Sequence, residues 1–178
     1  MTKVYAVDVS QEITKNLTPP ANFELRFSDG ASIPLPPESI HLAFSNNLME
    51  HCHPDDVVDQ LNNLFQCLVP GGHYLCITPH RFSGPHDISK YFTSVATGFH
   101  LQEFTHLELY RLFKTSGFKR VEAILSARGI FWRVPIQPLL WLERLLALLP
   151  ETWRRTFCRR PRLDQILQIR LLALKQAS

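Results

Sequence analysis

Apolar residues along this chain alternate between short runs of strand length and stretches spaced by three and four, and each switch marks an element. Val4-Tyr-Ala-Val7 is a short apolar run ending at Asp8, and Ser10 stands where it can cap a helical stretch that must stop by Pro19-Pro20. Phe23, Leu25 and Phe27 alternate with Glu24, Arg26 and Ser28, the period of a strand with unlike faces. Asp29-Gly30 turns the chain, and Pro34-Leu-Pro-Pro37 is extended loop. Ile40, Leu42, Ala43 and Phe44 then form a near-continuous apolar run, the pattern of a central strand covered on both faces. Val57, Val58, Leu61, Leu64, Phe65 and Leu68 give one helix a core face, with Asp55 and Asp56 at its positive end.

Pro70-Gly71-Gly72 ends that helix, and Tyr74 to Ile77 supplies another buried strand. From Pro79 to Thr105 no period persists, which predicts a long loop or lid with a short helix around Ser89 to Val95. Thr105-x-x-Glu108 is a capping box, Leu109, Leu112 and Phe113 form the apolar face behind it, and Gly117 closes the helix. Val121 to Leu125 is a strand, Pro138 to Leu149 a heavily apolar helix, and Leu163 to Lys175 a last helix or strand. Strands alternating with helices predict parallel α/β topology.

Charge divides the chain in two. Up to Phe118 there are 7 Lys and Arg against 12 Asp and Glu, and from Lys119 onward 12 against 4, for a net +3 over 178 residues. We therefore divide it into residues 1–128 and a Leu/Arg-rich extension, residues 129–178, that packs on them. Cys52, Cys67, Cys76 and Cys158 form no Cys-x-x-Cys pair, which points away from a disulfide frame or zinc site and toward a reducing cytoplasm. His51-Cys-His53 with Asp55 is too compressed to converge on one ion, so no metal is expected.

Between Val4 and Leu125 the chain resembles the second half of a class I S-adenosylmethionine (SAM) dependent methyltransferase, of the type 11 kind. Phe44-Ser-Asn-Asn-Leu-Met-Glu-His51, the amphipathic helix after it and Pro70-Gly71-Gly72 before Tyr74-Leu-Cys-Ile-Thr78 carry the resemblance. It implies a Rossmann-like, mostly parallel sheet and SAM as cofactor. It also implies that the first strand and its glycine-rich loop are missing, since no Gly-x-Gly occurs. A sheet lacking that strand would expose apolar edges. A later start within a longer enzyme, a degenerate non-catalytic form and a partner chain supplying the front half are the three explanations.

By the resemblance, Asp8 takes the ribose diol, Asp29 with Gly30 the adenine side, and Ser45, Asn46 and Asn47 the methionine and sulfonium side. His51 is the candidate base, since an imidazole suits proton removal at neutral pH. Glu50, His80, Arg81, His86, Asp87 and His100, with Glu103, are the acceptor-side candidates. The ordinary alternatives are turn and capping roles for Asp8 and Asp29, helix-start roles for Glu50 and His51, and solvated loop polarity for the rest. The resemblance implies a small-molecule, lipid or glycan acceptor. Leu139 to Leu149, with Trp132, Trp141, Trp153 and Arg154, Arg155, Arg159, Arg160 and Arg162, reads as a packing helix, a protein-docking surface or an interfacial membrane element. Docking through residues 138–175 would make the chain an accessory protein, membrane contact would place it peripherally at a bilayer, and nucleic acid is not expected.

Overall fold

The structure, a computed structural model, describes residues 2–16 and 18–176. Strand β1 (Val4–Asp8) leads through the short helix α1 (Gln11–Thr14) to β2 (Phe23–Phe27), and the two strands pair in parallel, Val4 opposite Phe23 and Asp8 opposite Phe27. A five-stranded sheet holds the rest. It is built from β3 (Ile40–Asn46), β4 (Leu68–Thr78), β5 (Arg120–Ala127), β6 (Ile130–Pro135) and β7 (Ile169–Leu174), in the order β3-β4-β7-β5-β6. β3 and β4 are parallel, and β7 runs antiparallel between β4 and β5. β3, β4 and β5 thus share one direction, with β7 and β6 against them. Helix α2 (Val57–Cys67) joins β3 to β4, and α3 (His106–Thr115) precedes β5. Helices α4 (Gln137–Ala147), α5 (Glu151–Cys158) and α6 (Pro161–Leu167) lie between β6 and β7.

Residues 163–175 resolve into the end of α6 and a strand. Ile169, Leu171 and Ala173 of β7 are fully buried, so the basic segment after residue 128 shares the sheet of the acidic one. The Pro70-Gly71-Gly72 stretch lies inside β4, where the pairing with β3 shifts register between Ile40 and Leu42. Gly72 is required there, because a Cβ would stand 2.8 Å from the Val69 carbonyl oxygen and 3.2 Å from that of Ile40. The core gathers Met49, Leu61, Tyr74, Leu109, Phe113, Phe118 and Leu171. The Thr105–Glu108 capping box forms with both reciprocal bonds.

The apolar run in β3 is not covered on both faces as its sequence predicts. β3 pairs only with β4 among the described strands, and Leu42 and Phe44 remain 47% and 61% exposed. β1 and β2 form a separate sheet, on which Val7 and Phe27 are also exposed. The loop after β2 is clasped to α2, through Gln60 Nε2 on the Gly30 oxygen (3.2 Å) and Asn63 Nδ2 on the Ala31 oxygen (3.1 Å).

Candidate active site

The parallel strands deliver their candidate residues at their carboxyl ends, where ligands of α/β sheets bind. Asp8 ends β1, and its carbonyl accepts from the Ser28 N–H just past β2 (2.9 Å). Its Oδ1 accepts from the Ser10 N–H at 2.7 Å, a turn bond that leaves Oδ2 without a protein partner among the described residues. Asp29 Oδ1 accepts from Ser32 N–H (2.7 Å), Ser32 Oγ–H (2.8 Å) and Ala31 N–H (3.1 Å). Those bonds, the Ser32 amide foremost, hold its carboxyl below the usual range. Gln60, which ties down Gly30, accepts from Cys52 Sγ (3.1 Å), so the turn after β2 is two contacts from the residue that follows His51.

At the end of β3, Asn46 and Asn47 are exposed, and Asn47 turns the chain with φ +52° while its N–H donates to the Ile77 oxygen (2.9 Å). Asparagine tolerates that left-handed conformation better than most residues. The next turn, a 3-10 helix over Met49–His51, sets Glu50 inward and His51 outward. Glu50 is fully buried; Oε2 accepts from Thr78 Oγ1 (2.8 Å), and its carbonyl accepts from the Leu101 N–H (2.8 Å). That second bond draws the far end of the long loop onto β3. His51 Nδ1 lies 2.9 Å from the Phe99 oxygen, which can only accept, so Nδ1 carries the proton and Nε2 the lone pair. The His51 and His100 rings meet edge to face at 5.0 Å.

Loop 79–105 is tied by two carboxylates. Asp87 Oδ2 accepts from the Gly98 and His100 amides (both 3.1 Å) and Oδ1 from the Ser89 amide (3.0 Å). Glu103 Oε1 takes the His86 amide (2.7 Å), His100 Nδ1 (2.9 Å) and His86 Nδ1 (3.2 Å). Burial raises the Glu103 pKa, but these bonds outweigh it and the net shift is downward. Glu50, His51, His80, His86 and His100 line one cleft of ≈ 380 Å³ with Asn47, Pro79, Asp164 and Gln168, within the range of small-molecule sites.

His80 lies at the back of this cleft in a buried cluster that sequence reading missed. Glu143 of α4 accepts from His80 Nε2 (2.6 Å), His106 Nδ1 (2.7 Å) and the His106 amide (2.5 Å) through Oε1, and from the Leu107 amide (3.0 Å) through Oε2. It thereby satisfies the first two free amides of α3 from another helix. Burial acts to raise the Glu143 pKa, yet the bonds from His106 and His80 bring it down to about 2. His80 Nδ1 accepts from the Phe82 amide (3.0 Å), which fixes the tautomer that donates to Glu143, and burial depresses its pKa. The spacing Leu139, Glu143, Leu146, all buried, was the available signal, because steps of four and three put the acid on the core face of α4.

Asp8, Asp29, Gly30, Ser45, Asn46, Arg81 and Asp87 do not line the cleft. Ser45 is buried with its hydroxyl 2.7 Å from Tyr74 Oη, and Arg81 pairs with Glu108 (2.6 Å) over a separate depression lined by Phe104 and Arg111. Part of the basic cluster also has an internal role. Arg155 of α5 and Arg159 just past its end donate to the carbonyls of Ser83 and Gly84, holding the loop down.

Solved structures share this fold. A chain from the complex containing the Haloferax volcanii Trm112 methyltransferase activator aligns with 98% of this chain and 73% of its own length, at 15% identity and a TM-score of 0.67. An S-adenosylmethionine dependent methyltransferase from Mesorhizobium loti aligns over 97% and 80%, at 18% identity and 0.59. Haemonchus contortus phosphoethanolamine N-methyltransferase 2, in complex with phosphomonomethylethanolamine and S-adenosylhomocysteine, aligns over 99% of this chain but 44% of its own, at 16% identity and 0.57. No curated protein matches the sequence. The chain has the class I methyltransferase fold. Its residues 1–76 match the family model described as a methyltransferase domain.

Proposed function

We propose that this chain serves SAM-dependent methyl transfer to a small-molecule, lipid or glycan acceptor. The observation that carries the reading is the cleft, which gathers Asn47, Glu50, His51, His86 and His100 beside the carboxyl ends of β3 and β4. The donor set fits the cofactor on the adenosine side: Asp8 Oδ2 is free to accept from a ribose hydroxyl, and Asp29 and Gly30 occupy the neighbouring strand end. Asn46 and Asn47 would flank the methionine part. SAM supplies a methyl group made electrophilic by its sulfonium. The protein's task is then to align the acceptor in the cleft and manage its proton. His51 presents a lone pair on Nε2 to that space, and the Phe99 carbonyl holds the tautomer. Labelled SAM offered with hydroxyl and amine acceptors tests the reading: transfer that falls with His51→Gln supports it, and no transfer to any acceptor speaks against it.

A second reading, an accessory role through the carboxyl-terminal segment, is favoured by one observation. Trp141, Leu145, Leu148 and Trp153 of α4, α5 and the turn between them are between 63% and 81% exposed. Because β7 belongs to the sheet, the test is substitution rather than deletion. Loss of a stable complex, or of vesicle binding, on Trp141→Glu with Leu148→Glu would support it. Among the described residues no helix is long and apolar enough to cross a membrane.

A further inference from the structure

We propose that Glu50, His51 and His100 form a binding site for one divalent transition-metal ion at the floor of the acceptor cleft. Each offers one ligand atom, and the three atoms lie within 4.8 Å of one another. Three independent features of the geometry prepare them. Glu50 is fully buried and lines the cleft, yet its Oε1 has no hydrogen-bond partner among the described residues while Oε2 is held by Thr78. Buried polar atoms are almost always satisfied, and one left unmatched calls for an explanation such as an ion. His100 Nδ1 is bound to the Glu103 carboxylate at 2.9 Å, which leaves Nε2 as the ligating nitrogen. A carboxylate behind an imidazole is the support that metal-bound histidines usually have. His51 is oriented the same way by the Phe99 carbonyl.

The chain makes this cluster by a long-range closure rather than a sequence motif. Glu50 and His51 come from the 3-10 turn after β3, while His100 comes from the end of the long loop, anchored by Leu101 N–H on the Glu50 carbonyl and by Asp87 on its own amide. Two imidazoles and one carboxylate suit Zn²⁺, Co²⁺ or Fe²⁺ better than Mg²⁺ or Ca²⁺, and three protein ligands leave positions open toward the cleft. An oxygen or nitrogen donor of an acceptor can occupy those positions. The other buried trio, His80, His106 and Glu143, differs in kind: its carboxylate is filled by hydrogen bonds from both imidazoles and two amides.

This rests on the proposed function only for the role of the ion, and it changes one part of that reading: His51 Nε2 would bind the cation instead of taking a proton itself. Co²⁺, titrated into the full chain and followed by its visible ligand-field spectrum, tests the site without any turnover. The expected result is one equivalent bound, with affinity reduced about tenfold or more in His100→Gln and in Glu50→Gln. His53→Gln, an exposed neighbour paired with Asp55, would leave it unchanged. Thermal melts of each variant show whether it is folded, and His100→Gln, on the loop, serves if Glu50→Gln is not. No one-to-one binding, binding that survives His100→Gln, or equal loss in His53→Gln would each overturn the site. S-adenosylhomocysteine affinity measured on the same samples separates failure of the metal site from failure of the methyltransferase reading.

Discussion

Glu143 Oε1 lies 2.6 Å from His80 Nε2 across 63 residues of sequence, so a carboxylate in the basic carboxyl-terminal segment sets the back wall of the acceptor cleft. The same oxygen meets His106, and α4 is thereby fastened to the start of α3. Removing one partner of a buried charged cluster leaves the others unmatched. Glu143→Ala should therefore lower stability by about 3 to 5 kcal/mol, read by denaturant unfolding. A loss under ~1 kcal/mol would mean that the cluster contributes little beyond its own desolvation cost.

Acid should loosen the same joint in two stages. His80 is held neutral by burial, with its pKa below the ordinary 6.5, so the unfolded chain binds more protons there and stability begins to fall as pH drops below 6.5. Glu143, depressed from 4.5 to about 2, adds a second loss between those values. Unfolding free energy measured from pH 7 to pH 3 should decline throughout, with the lower stage missing in Glu143→Gln. A flat profile would contradict the cluster's charge state.

Arg155 and Arg159 make a separate claim on the loop. Arg159 donates from Nε to the Ser83 oxygen (3.0 Å) and from Nη2 to that of Gly84 (3.1 Å). Such charge-assisted bonds contribute about 1.5 to 3 kcal/mol each. In Arg159→Ala, hydrogen exchange of residues near 83–94 should quicken while that of β4 and β7 stays slow. Uniform quickening across the sheet would assign the arginine to global stability instead.

All four cysteines are buried, and burial raises each thiol, Cys76 to about 12. The native protein should show no fast thiol toward a disulfide reagent and four after denaturation. A fast native thiol would point to opening around Cys52, beside the candidate site.

Much of this architecture was legible along the chain, and the exceptions have physical causes. The alternation at Phe23 to Phe27 and the capping box at Thr105 predict β2 and the start of α3, because each is decided by neighbours within a few residues. β7 is ambiguous because Leu172 and Leu174 on its half-exposed face are as apolar as the buried Ile169, Leu171 and Ala173, and such a run shows no period, as a buried helix segment does not. The apolar run of β3 predicts a covered strand, but its own residues cannot report whether a neighbour lies on its outer edge. Among the candidates, the strand-end positions of Asp8 and Asn46 were legible from their place after apolar runs. The pairing of His51 with His100 was not, because loop closure brings them together. Ser45 shows the limit of placement by strand end alone: pleating turned it into the core against Tyr74.

The most direct test of the account is a calorimetric titration of S-adenosylhomocysteine into this chain and its Asp8→Ala variant. One site on the native chain, weakened about tenfold or more (~1.4 kcal/mol) by Asp8→Ala with thermal stability retained, is the predicted result. Absence of binding, or binding indifferent to Asp8, would contradict the assignment of the β1 and β2 ends to the cofactor.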